Sequence, residues 1–222
     1  MILAAGRGER MRPLTDDCPK PLLHAGERPL IDWHLEALAR AGFARVVINT
    51  AWRGEKLRAY VGDGRAWALD VRWSDEGEQA LETAGGIAHA LPLLGPRPFA
   101  VINGDVHTDY PFEHLALPDG HLAHLVLVDN PAQHPEGDFA LDGARVATAT
   151  GRRLTFSGIG VYRPTLFSGL PTRPLRLAPI LRRAIAAGLV SGAHYRGTWR
   201  DIGTPERLRE LDAQLRRLHP PR

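Results

Sequence analysis

Residues 3–13 read Leu3-Ala4-Ala5-Gly6-Arg7-Gly8-Glu9-Arg10-Met11-Arg12-Pro13. Residues 1–5 are apolar, which is typical of the end of a buried strand, and two glycines follow almost at once. Small residues at such a place let backbone N–H groups approach a phosphate chain, and a nearby arginine can neutralise its charge. On the glycines alone, a tight turn that binds nothing is an equally good interpretation.

The residues around this loop exclude the common nucleotide-binding motifs. Gly-x-Gly-x-x-Gly would need a glycine in place of Met11, and no Gly-Lys-Ser/Thr occurs. Instead the loop is followed by Pro19-Lys20-Pro21-Leu22, and Lys20 is one of only two lysines among 28 basic residues. Because proline fixes its own backbone and restricts the residue before it, Lys20 stands on a stiff segment. This pattern favours a lysine held in place to bind phosphate.

The composition is that of a globular chain. Its 222 residues are 44% hydrophobic and 24% charged, which is enough to bury a core. There is no leader-like N-terminus, no apolar run of membrane-spanning length, and a single cysteine, Cys18. The formal charge of +3 is scattered along the chain rather than clustered. We therefore expect a cytoplasmic protein with neither a membrane nor a nucleic acid as its partner.

Short apolar runs alternate with amphipathic stretches, which predicts an α/β fold with a doubly wound, mostly parallel mixed sheet. Strands are predicted at 2–5, 45–50, 69–74, 99–103 and 124–128, and helices at 30–41 and 83–94. Further along, β-like pieces at 139–141, 145–148 and 154–162 predict a small accessory β layer. A helix at 177–187, a strand at 190–195 and a helix at 205–218 are expected to follow. The first strand is short for a central parallel strand, so we expect the native start to lie upstream.

The combined pattern Leu-Ala-Ala-Gly-x-Gly-x-Arg-Met-Arg-Pro-Leu-Thr, followed by Pro-Lys-Pro-Leu, resembles the N-terminal signature of the sugar-1-phosphate nucleotidyltransferases. This resemblance implies a Rossmann-like, glycosyltransferase-A-like fold in one domain over residues 1–222. A nucleotide-binding half would cover about 1–110 and a sugar-binding half about 111–222. In that family the glycine loop wraps the triphosphate, while an arginine and a lysine contact its phosphates. The resemblance gives these roles to Leu3, Ala4, Ala5, Gly6, Arg7, Gly8, Arg12 and Lys20.

Two aspartates are candidate metal ligands. Asp105 follows the strand predicted at 99–103, and Asp201 lies in Trp199-Arg200-Asp201. Taken singly, an aspartate beside a glycine is more often a turn residue, but Mg²⁺ prefers such carboxylate oxygens together with substrate phosphates. The resemblance implies that Asp105 and Asp201 hold Mg²⁺, with Arg12, Lys20 and Asp105 as the catalytic residues. A sugar phosphate is already an anion at neutral pH, so no histidine is needed as a base.

A narrower resemblance extends over most of the chain, to the uridylyltransferases that act on N-acetylmuramic acid α-1-phosphate. It rests on Glu82-Thr83-Ala84-Gly85-Gly86, Asn103-Gly104-Asp105, Gly137-Asp138-Phe139, Thr155-Phe156-Ser157-Gly158-Ile159 and His194-Tyr195-Arg196-Gly197. It implies that the nucleotide is also bound by Glu82, Ala84, Gly85 and Asn103, and that the sugar is bound by Asp138, Ser157 and Gly158. Glu82 is alternatively a helix-capping acid, and Trp199 is either a pocket wall or a core aromatic.

The sequence is also compatible with other functions. The same reaction with GTP and mannose 1-phosphate, or with a heptose phosphate, would need only a few different pocket residues. A regulatory homologue without activity is a further alternative, although Arg12, Lys20, Asp105 and Asp201 are all present. Because the C-terminal module of many longer relatives is missing, we expect a monomer.

Overall fold

The computed structural model describes residues 1–148 and 151–218. Its strands are β1 (Ile2–Leu3), β2 (His24–Ala25), β3 (Arg28–Pro29), β4 (Arg45–Thr50), β5 (Asp70–Asp75), β6 (Phe99–Asn103), β7 (Val106–Thr108), β8 (Ala123–Val128), β9 (Phe139–Asp142), β10 (Arg145–Ala147), β11 (Arg153–Tyr162), β12 (Val190–His194) and β13 (Trp199–Asp201). Its helices are α1 (Leu30–Arg40), α2 (Gly54–Val61), α3 (Glu82–Leu94), α4 (Leu177–Ala186) and α5 (Pro205–Leu218). Strands and helices alternate from β3 to β6, the strands β6 to β11 then follow in succession, and α4 comes after them. The predicted α/β class is confirmed.

The chain forms two compact units. The unit called here the glycine-loop unit consists of Ile2–Ala80, Gly104–His107 and the segment from Arg200 onward. The second, called the central unit, consists of Met1, Leu81–Asn103 and Thr108–Trp199. The expectation of one functional domain with halves at about 1–110 and 111–222 stays a prediction. None of the helices in the described ranges combines the length and the apolar character that a membrane crossing needs.

The sheet of the glycine-loop unit is parallel, with β4 between β1 and β5. Ile2 is paired with Ile48, and β4 pairs residue by residue with β5. The helices α1 and α2 connect these strands in sequence, as parallel neighbours require. All residues of β4 except the first are buried, so its sequence is an almost continuous apolar run. The strand order is that of half a Rossmann fold.

The helix α5 packs on the segment that follows the glycine loop. It contributes Leu208, Leu211 and Leu215 at helical spacing to a buried cluster. The other members of this cluster are Met11, Leu23, Ala25, Leu30 and Ile202. The contact is close at Gly26, where an added Cβ would lie 2.7 Å from Leu215 Cβ, and the Gly26 N–H donates to Asp212 Oδ1 at 2.9 Å. The C-terminal helix therefore supports the chain next to the glycine loop.

The sheet of the central unit is mixed and has the strand order β6, β11, β8, β12, β10, β9. The strand β11 is antiparallel to β6 and β8, whereas β12 is parallel to β8. The mixed sheet is thus confirmed, but the expected accessory layer is not a separate layer. The strand β11 lies inside the sheet because eight of its ten residues are buried, and β9 and β10 extend the sheet at its edge.

A β-bulge interrupts the pairing of β11 with β8 between Phe156 and Ile159. Within it, the backbone of Gly158 has a φ of +78°, and an added Cβ there would lie 2.5 Å from the amide nitrogen of Asn103. The Ser157 hydroxyl donates to the carbonyl oxygen of Val126 at 2.7 Å. The bulge therefore needs glycine at position 158 both for its backbone angle and for space.

The cluster under α5 predicts the effect of a cavity. Leu211 is fully buried, so Leu211→Ala is expected to lower the free energy of unfolding by about 3 kcal/mol, measured by urea denaturation. Leu218 lies on the same helix and is 63% exposed, so Leu218→Ala serves as the matched control, with a loss below about 0.5 kcal/mol. Equal losses in the two variants would contradict the packing described.

The bulge gives a second prediction. Gly158→Ala is expected to lower the unfolding free energy by more than Gly169→Ala, because Gly169 has a similar φ of +76° but no atom within 4 Å of an added Cβ. The control measures the backbone cost alone, about 1–2 kcal/mol, and Gly158→Ala adds the overlap with Asn103. Chemical denaturation of both variants makes the comparison. Losses of the same size would mean that the Asn103 amide moves away at no cost.

Candidate active site

The backbone of the glycine loop is fixed by contacts at Gly8, whereas the space next to Gly6 is free of contacts in the described part of the chain. Gly8 has a φ of +66° and precedes a short 3-10 turn over Glu9–Met11. The Thr15 hydroxyl donates to the Gly8 carbonyl at 2.8 Å, and an added Cβ at Gly8 would lie 3.0 Å from Thr15 Cγ2. At Gly6, by contrast, no atom of the described chain lies within 4 Å of an added Cβ. A ligand can therefore approach the backbone at Gly6, while Gly8 fixes the turn.

The end of β1 is held by Asn49, a residue that the sequence analysis missed. Its amide oxygen accepts a hydrogen bond from the Ala4 N–H at 2.7 Å, and its amide nitrogen donates to Glu76 Oε1 at 2.7 Å. Asn49 is buried although it can hydrogen-bond at both ends. A single amide in the otherwise apolar part of β4 was the available signal for this role.

Lys20 lies directly beside the glycine turn. Its Cβ would be 3.5 Å from a Cβ added at Gly8, and its Nζ atom donates to Asp105 Oδ2 at 2.8 Å. Lys20 is only 8% exposed. It stands between two prolines and is the first residue of a 3-10 turn over Lys20–Leu22. The expected placement of Lys20 next to the loop thus agrees with the structure. A buried ammonium needs such a partner because its removal from water is costly.

Backbone hydrogen bonds connect the segment around Asp105 to β1 and to the chain next to Asp201. The preceding residue, Gly104, donates its N–H to the Leu3 carbonyl at 2.9 Å, and the Asp105 carbonyl accepts from the Ile202 N–H at 2.8 Å. The second bond brings the chain at Asp201 next to the chain at Asp105. The two candidate metal ligands, about a hundred positions apart in sequence, are therefore neighbours in the backbone network.

Asp201 has a cationic partner of its own in Arg207, whose guanidinium binds Asp201 Oδ2 and also donates to the Asp201 carbonyl at 3.3 Å. Arg207 stands in the first turn of α5, where its backbone N–H is 3.4 Å from the Thr204 hydroxyl. The sequence analysis predicted the helix at 205–218 but did not identify Arg207 as a partner of this carboxylate.

The donor set at these two aspartates fits a hard divalent cation. Each carboxylate uses Oδ2 in its ion pair, and within residues 1–148 and 151–218 neither Oδ1 atom has a hydrogen bond or ion pair. The same ranges contain no group of three or more His, Cys, Asp or Glu side chains placed to hold a metal. Two carboxylates are what Mg²⁺ commonly takes from a protein when substrate phosphates and water supply the other ligands.

Arg7 and Arg12, the two arginines of the loop that were expected to bind phosphate, have different surroundings. The Arg12 side chain is half exposed and pairs with Asp16 at 3.3 Å, and no described contact joins it to Lys20 or Asp105. The Arg7 guanidinium lies over the ring of Trp52, with its Cζ atom 4.5 Å from the ring centroid. The structure therefore groups Lys20 and Asp105 but leaves Arg12 outside that group.

A buried histidine lies close to Asp105 but carries no charge at neutral pH. Burial and, to a smaller extent, His107 lower the pKa of His34 to about 4, although Asp105 and the Val106 backbone act in the opposite direction. His34 is therefore a neutral core residue of α1 at pH 7.

The residues expected to read the base stand at the start of α3, in the central unit. Glu82 is the first residue of the helix and has a left-handed φ of +58°. The N–H groups of Ala84 and Gly85 point at the Leu175 carbonyl, at 2.9 and 3.3 Å. Ala84 is also fully buried, and a Cβ added at Gly85 would lie 2.2 Å from the Arg173 carbonyl oxygen. The small residues here make room for the protein's own backbone, and contact of these two positions with a base stays a prediction.

The residues expected to bind the sugar are held by hydrogen bonds within the central unit. The Ser157 hydroxyl is buried and both donates to Val126 and accepts from the Ile159 N–H, and the Trp199 indole donates to the Ser157 carbonyl at 2.9 Å. Asp138 accepts from the Phe156 N–H at 2.8 Å and pairs with His134 at 3.2 Å. These side chains shape the bulge of β11, and their contact with a sugar stays a prediction.

Comparison with known proteins places the chain among enzymes. A family model described as Nucleotidyl transferase matches residues 1–128. The chain is 50% identical, over 222 residues and 96% of each chain, to N-acetylmuramate alpha-1-phosphate uridylyltransferase of Neisseria meningitidis serogroup B (strain ATCC BAA-335 / MC58). It is 34% identical to the protein of the same name from Caulobacter vibrioides (strain ATCC 19089 / CIP 103742 / CB 15), over 97% of this chain and 96% of that one.

A solved structure confirms the fold independently of close sequence similarity. The inositol-1-phosphate CTP transferase from T. maritima superimposes with a TM-score of 0.77 at 19% sequence identity, covering 97% of this chain and 94% of that chain. The glycine turn, the adjacent Lys20–Asp105 pair and the matched sequence model agree with one another. This chain belongs to the nucleotidyl transferase family and is a transferase.

Proposed function

We propose that this protein transfers the uridylyl group of UTP to N-acetylmuramic acid α-1-phosphate in the presence of Mg²⁺, giving UDP-N-acetylmuramic acid and pyrophosphate. The observation that carries the proposal is the ion pair between Lys20 and Asp105, at 2.8 Å, directly beside the glycine turn. The substrates are those in the name of the relatives that are 50% and 34% identical over nearly the whole chain.

The bond changes in this reaction ask little of the protein beyond alignment and charge. An oxygen of the sugar phosphate attacks the α-phosphorus of UTP, and the bond from that phosphorus to the bridging oxygen of pyrophosphate breaks. The attacking oxygen is already anionic at pH 7, so no side chain has to remove a proton. The protein has to hold two polyanions together and to stabilise the charge that develops on the leaving group.

Each group of the glycine-loop unit has a part in this scheme. The open backbone at Gly6 and the cation of Arg7 bind the triphosphate, and Lys20 provides a fixed positive charge beside them. The side chain of Arg12 turns toward the phosphates from its exposed position. Asp105 and Asp201 hold Mg²⁺, which when bound supplies Lewis-acid charge neutralisation at the phosphate oxygens.

The central unit contributes the substrate selectivity in this proposal. Glu82, Ala84, Gly85 and Asn103 lie at the uracil and ribose, and Asp138, Ser157 and Gly158 lie at the sugar. We further propose that the protein acts as a cytoplasmic monomer and that its product serves peptidoglycan recycling. Light scattering in solution tests the monomer directly.

We predict that the protein selects both its nucleotide and its sugar phosphate. Among UTP, GTP, CTP and dTTP combined with the 1-phosphates of N-acetylmuramic acid, N-acetylglucosamine and mannose, UTP with N-acetylmuramic acid 1-phosphate should give the highest kcat/KM, by about tenfold or more. Release of pyrophosphate measures each pair. Turnover with GTP and mannose 1-phosphate alone would replace the proposed substrates, and no release with any pair would favour the regulatory homologue.

Loss of Lys20 or Asp105 is predicted to lower turnover, whereas loss of an exposed charge in the same unit is not. Lys20→Met and Asp105→Asn should each lower kcat by about a hundredfold or more, because each removes a charge that acts on the transition state. Asp70→Asn is the matched control: it breaks an exposed pair with Arg45 in the same unit and should change kcat by less than about twofold. Circular dichroism checks that all three variants are folded. Normal turnover of folded Asp105→Asn would contradict the metal role.

A further inference from the structure

The indole of Trp52 is engaged by two guanidinium groups and one carbonyl of the glycine-loop unit. The Cζ atom of Arg7 lies 4.5 Å from the ring centroid and that of Arg53 lies 5.0 Å from it. The indole N–H donates to the Thr15 carbonyl at 3.1 Å. Trp52 is the second residue after β4 and belongs to none of the motifs that the sequence analysis singled out. Its position thus connects the end of a buried strand to the glycine loop.

Two residues that come after Trp52 contact the segment that follows the glycine loop. Arg53 pairs with Asp17 Oδ1 at 3.0 Å, and Lys56 donates to the Asp17 carbonyl. The backbone of Arg53 has a φ of +52°, a left-handed angle that costs about 1 kcal/mol or more for a residue other than glycine. The connection between β4 and α2 therefore has an unfavourable backbone angle at a residue that contacts the segment after the glycine loop.

The contacts of Trp52 lead to the phosphate-binding part of the loop by two routes. Through the ring, they fix the guanidinium of Arg7. Through Thr15, they reach the turn itself, since the carbonyl of Thr15 accepts from the indole and its hydroxyl donates to Gly8. An arginine side chain that is free in solution loses much rotamer freedom when it binds a phosphate, and a ring that already holds it reduces this loss.

We infer that Trp52 is a positioning residue for nucleotide binding: it holds Arg7 and the turn at Gly8 in the conformation that receives the triphosphate. The inference rests on the proposed function for its assignment of Arg7 to the triphosphate. The cation–π contact survives in water-exposed sites because the ring attracts the guanidinium without desolvating it completely. Trp52 itself touches no substrate in this scheme and acts through Arg7 and Thr15.

The test compares nucleotide affinity in variants of Trp52 and Arg7. Calorimetric titration with magnesium and UTP, without sugar phosphate, should show a Kd that is about three- to tenfold higher for Trp52→Leu than for the unchanged protein. Trp52→Phe keeps a ring under Arg7 and should recover most of the affinity. Arg7→Ala should raise the Kd at least as much as Trp52→Leu, because it removes the guanidinium itself. The loss in the double variant should be smaller than the sum of the two single losses, because both changes remove the contact between Arg7 and Trp52.

A second tryptophan provides the matched control. Trp73, in β5 of the same unit, also donates its indole N–H to a backbone carbonyl, that of Gly62, at 3.1 Å. Trp73→Leu should leave the Kd for UTP unchanged. In turnover assays, Trp52→Leu should raise KM for UTP while KM for the sugar phosphate stays within about twofold, a split that general loosening of the fold would not produce.

The outcomes separate this inference from the proposed function. An unchanged Kd in Trp52→Leu, equal rises in KM for both substrates, or a full additive loss in the double variant would overturn the role of Trp52. Binding of UTP that depends on Trp52, in a protein that releases no pyrophosphate with any sugar phosphate, would support the inference while the proposed reaction fails. If the unchanged protein bound no triphosphate at all, both would fall.

Discussion

A lysine buried beside the glycine turn must find a negative partner, and the Lys20–Asp105 pair meets that need. Taking an ammonium group out of water costs several kcal/mol, which a carboxylate at 2.8 Å offsets. Asp105 can be this partner because its backbone is fixed by two hydrogen bonds. The N–H of Gly104 donates to the carbonyl of Leu3 in β1, and the N–H of Ile202 donates to the carbonyl of Asp105. Three distant stretches of sequence therefore meet around one charge. Loss of Asp105 would leave the Lys20 ammonium, whose side chain is only 10% exposed, without its partner.

The charged side chains of the glycine-loop unit are suited to bind both a divalent cation and the anionic phosphates of a nucleotide. Asp105 and Asp201 are each neutralised by a cation of the protein, Lys20 and Arg207, so the pair of acids does not repel itself in the absence of metal. A divalent cation that binds the remaining carboxylate oxygens adds positive charge, and the phosphates of a nucleotide compensate it. Metal and nucleotide are thus expected to bind cooperatively in the proposed reaction, since each removes the electrostatic cost of the other.

The sequence predicted the long elements well and the short ones poorly. The strands β4 and β6 were expected with the bounds observed, because continuous apolar runs between turn residues leave little choice. The helix α2 was missed, since its eight residues begin with glycine and carry few apolar side chains, and so was the two-residue hairpin of β2 and β3. Lys20 and Asp105 were found as separate candidates by resemblance, but their pairing depends on a tertiary contact across 85 positions.

The candidates of the central unit show why a motif does not specify what a side chain does. Ser157 was expected to contact a sugar, yet a bulge that no local pattern announces turns its hydroxyl to Val126 and makes it part of the sheet. Its neighbour must then be glycine, because the Asn103 amide occupies the space of a side chain. The Ser157 hydroxyl donates one hydrogen bond and accepts another within the bulge, so its removal would leave the Ile159 N–H and the Val126 carbonyl without this partner. The same motif residue thus has a structural task that is visible in the fold, whereas its contact with a sugar stays a prediction.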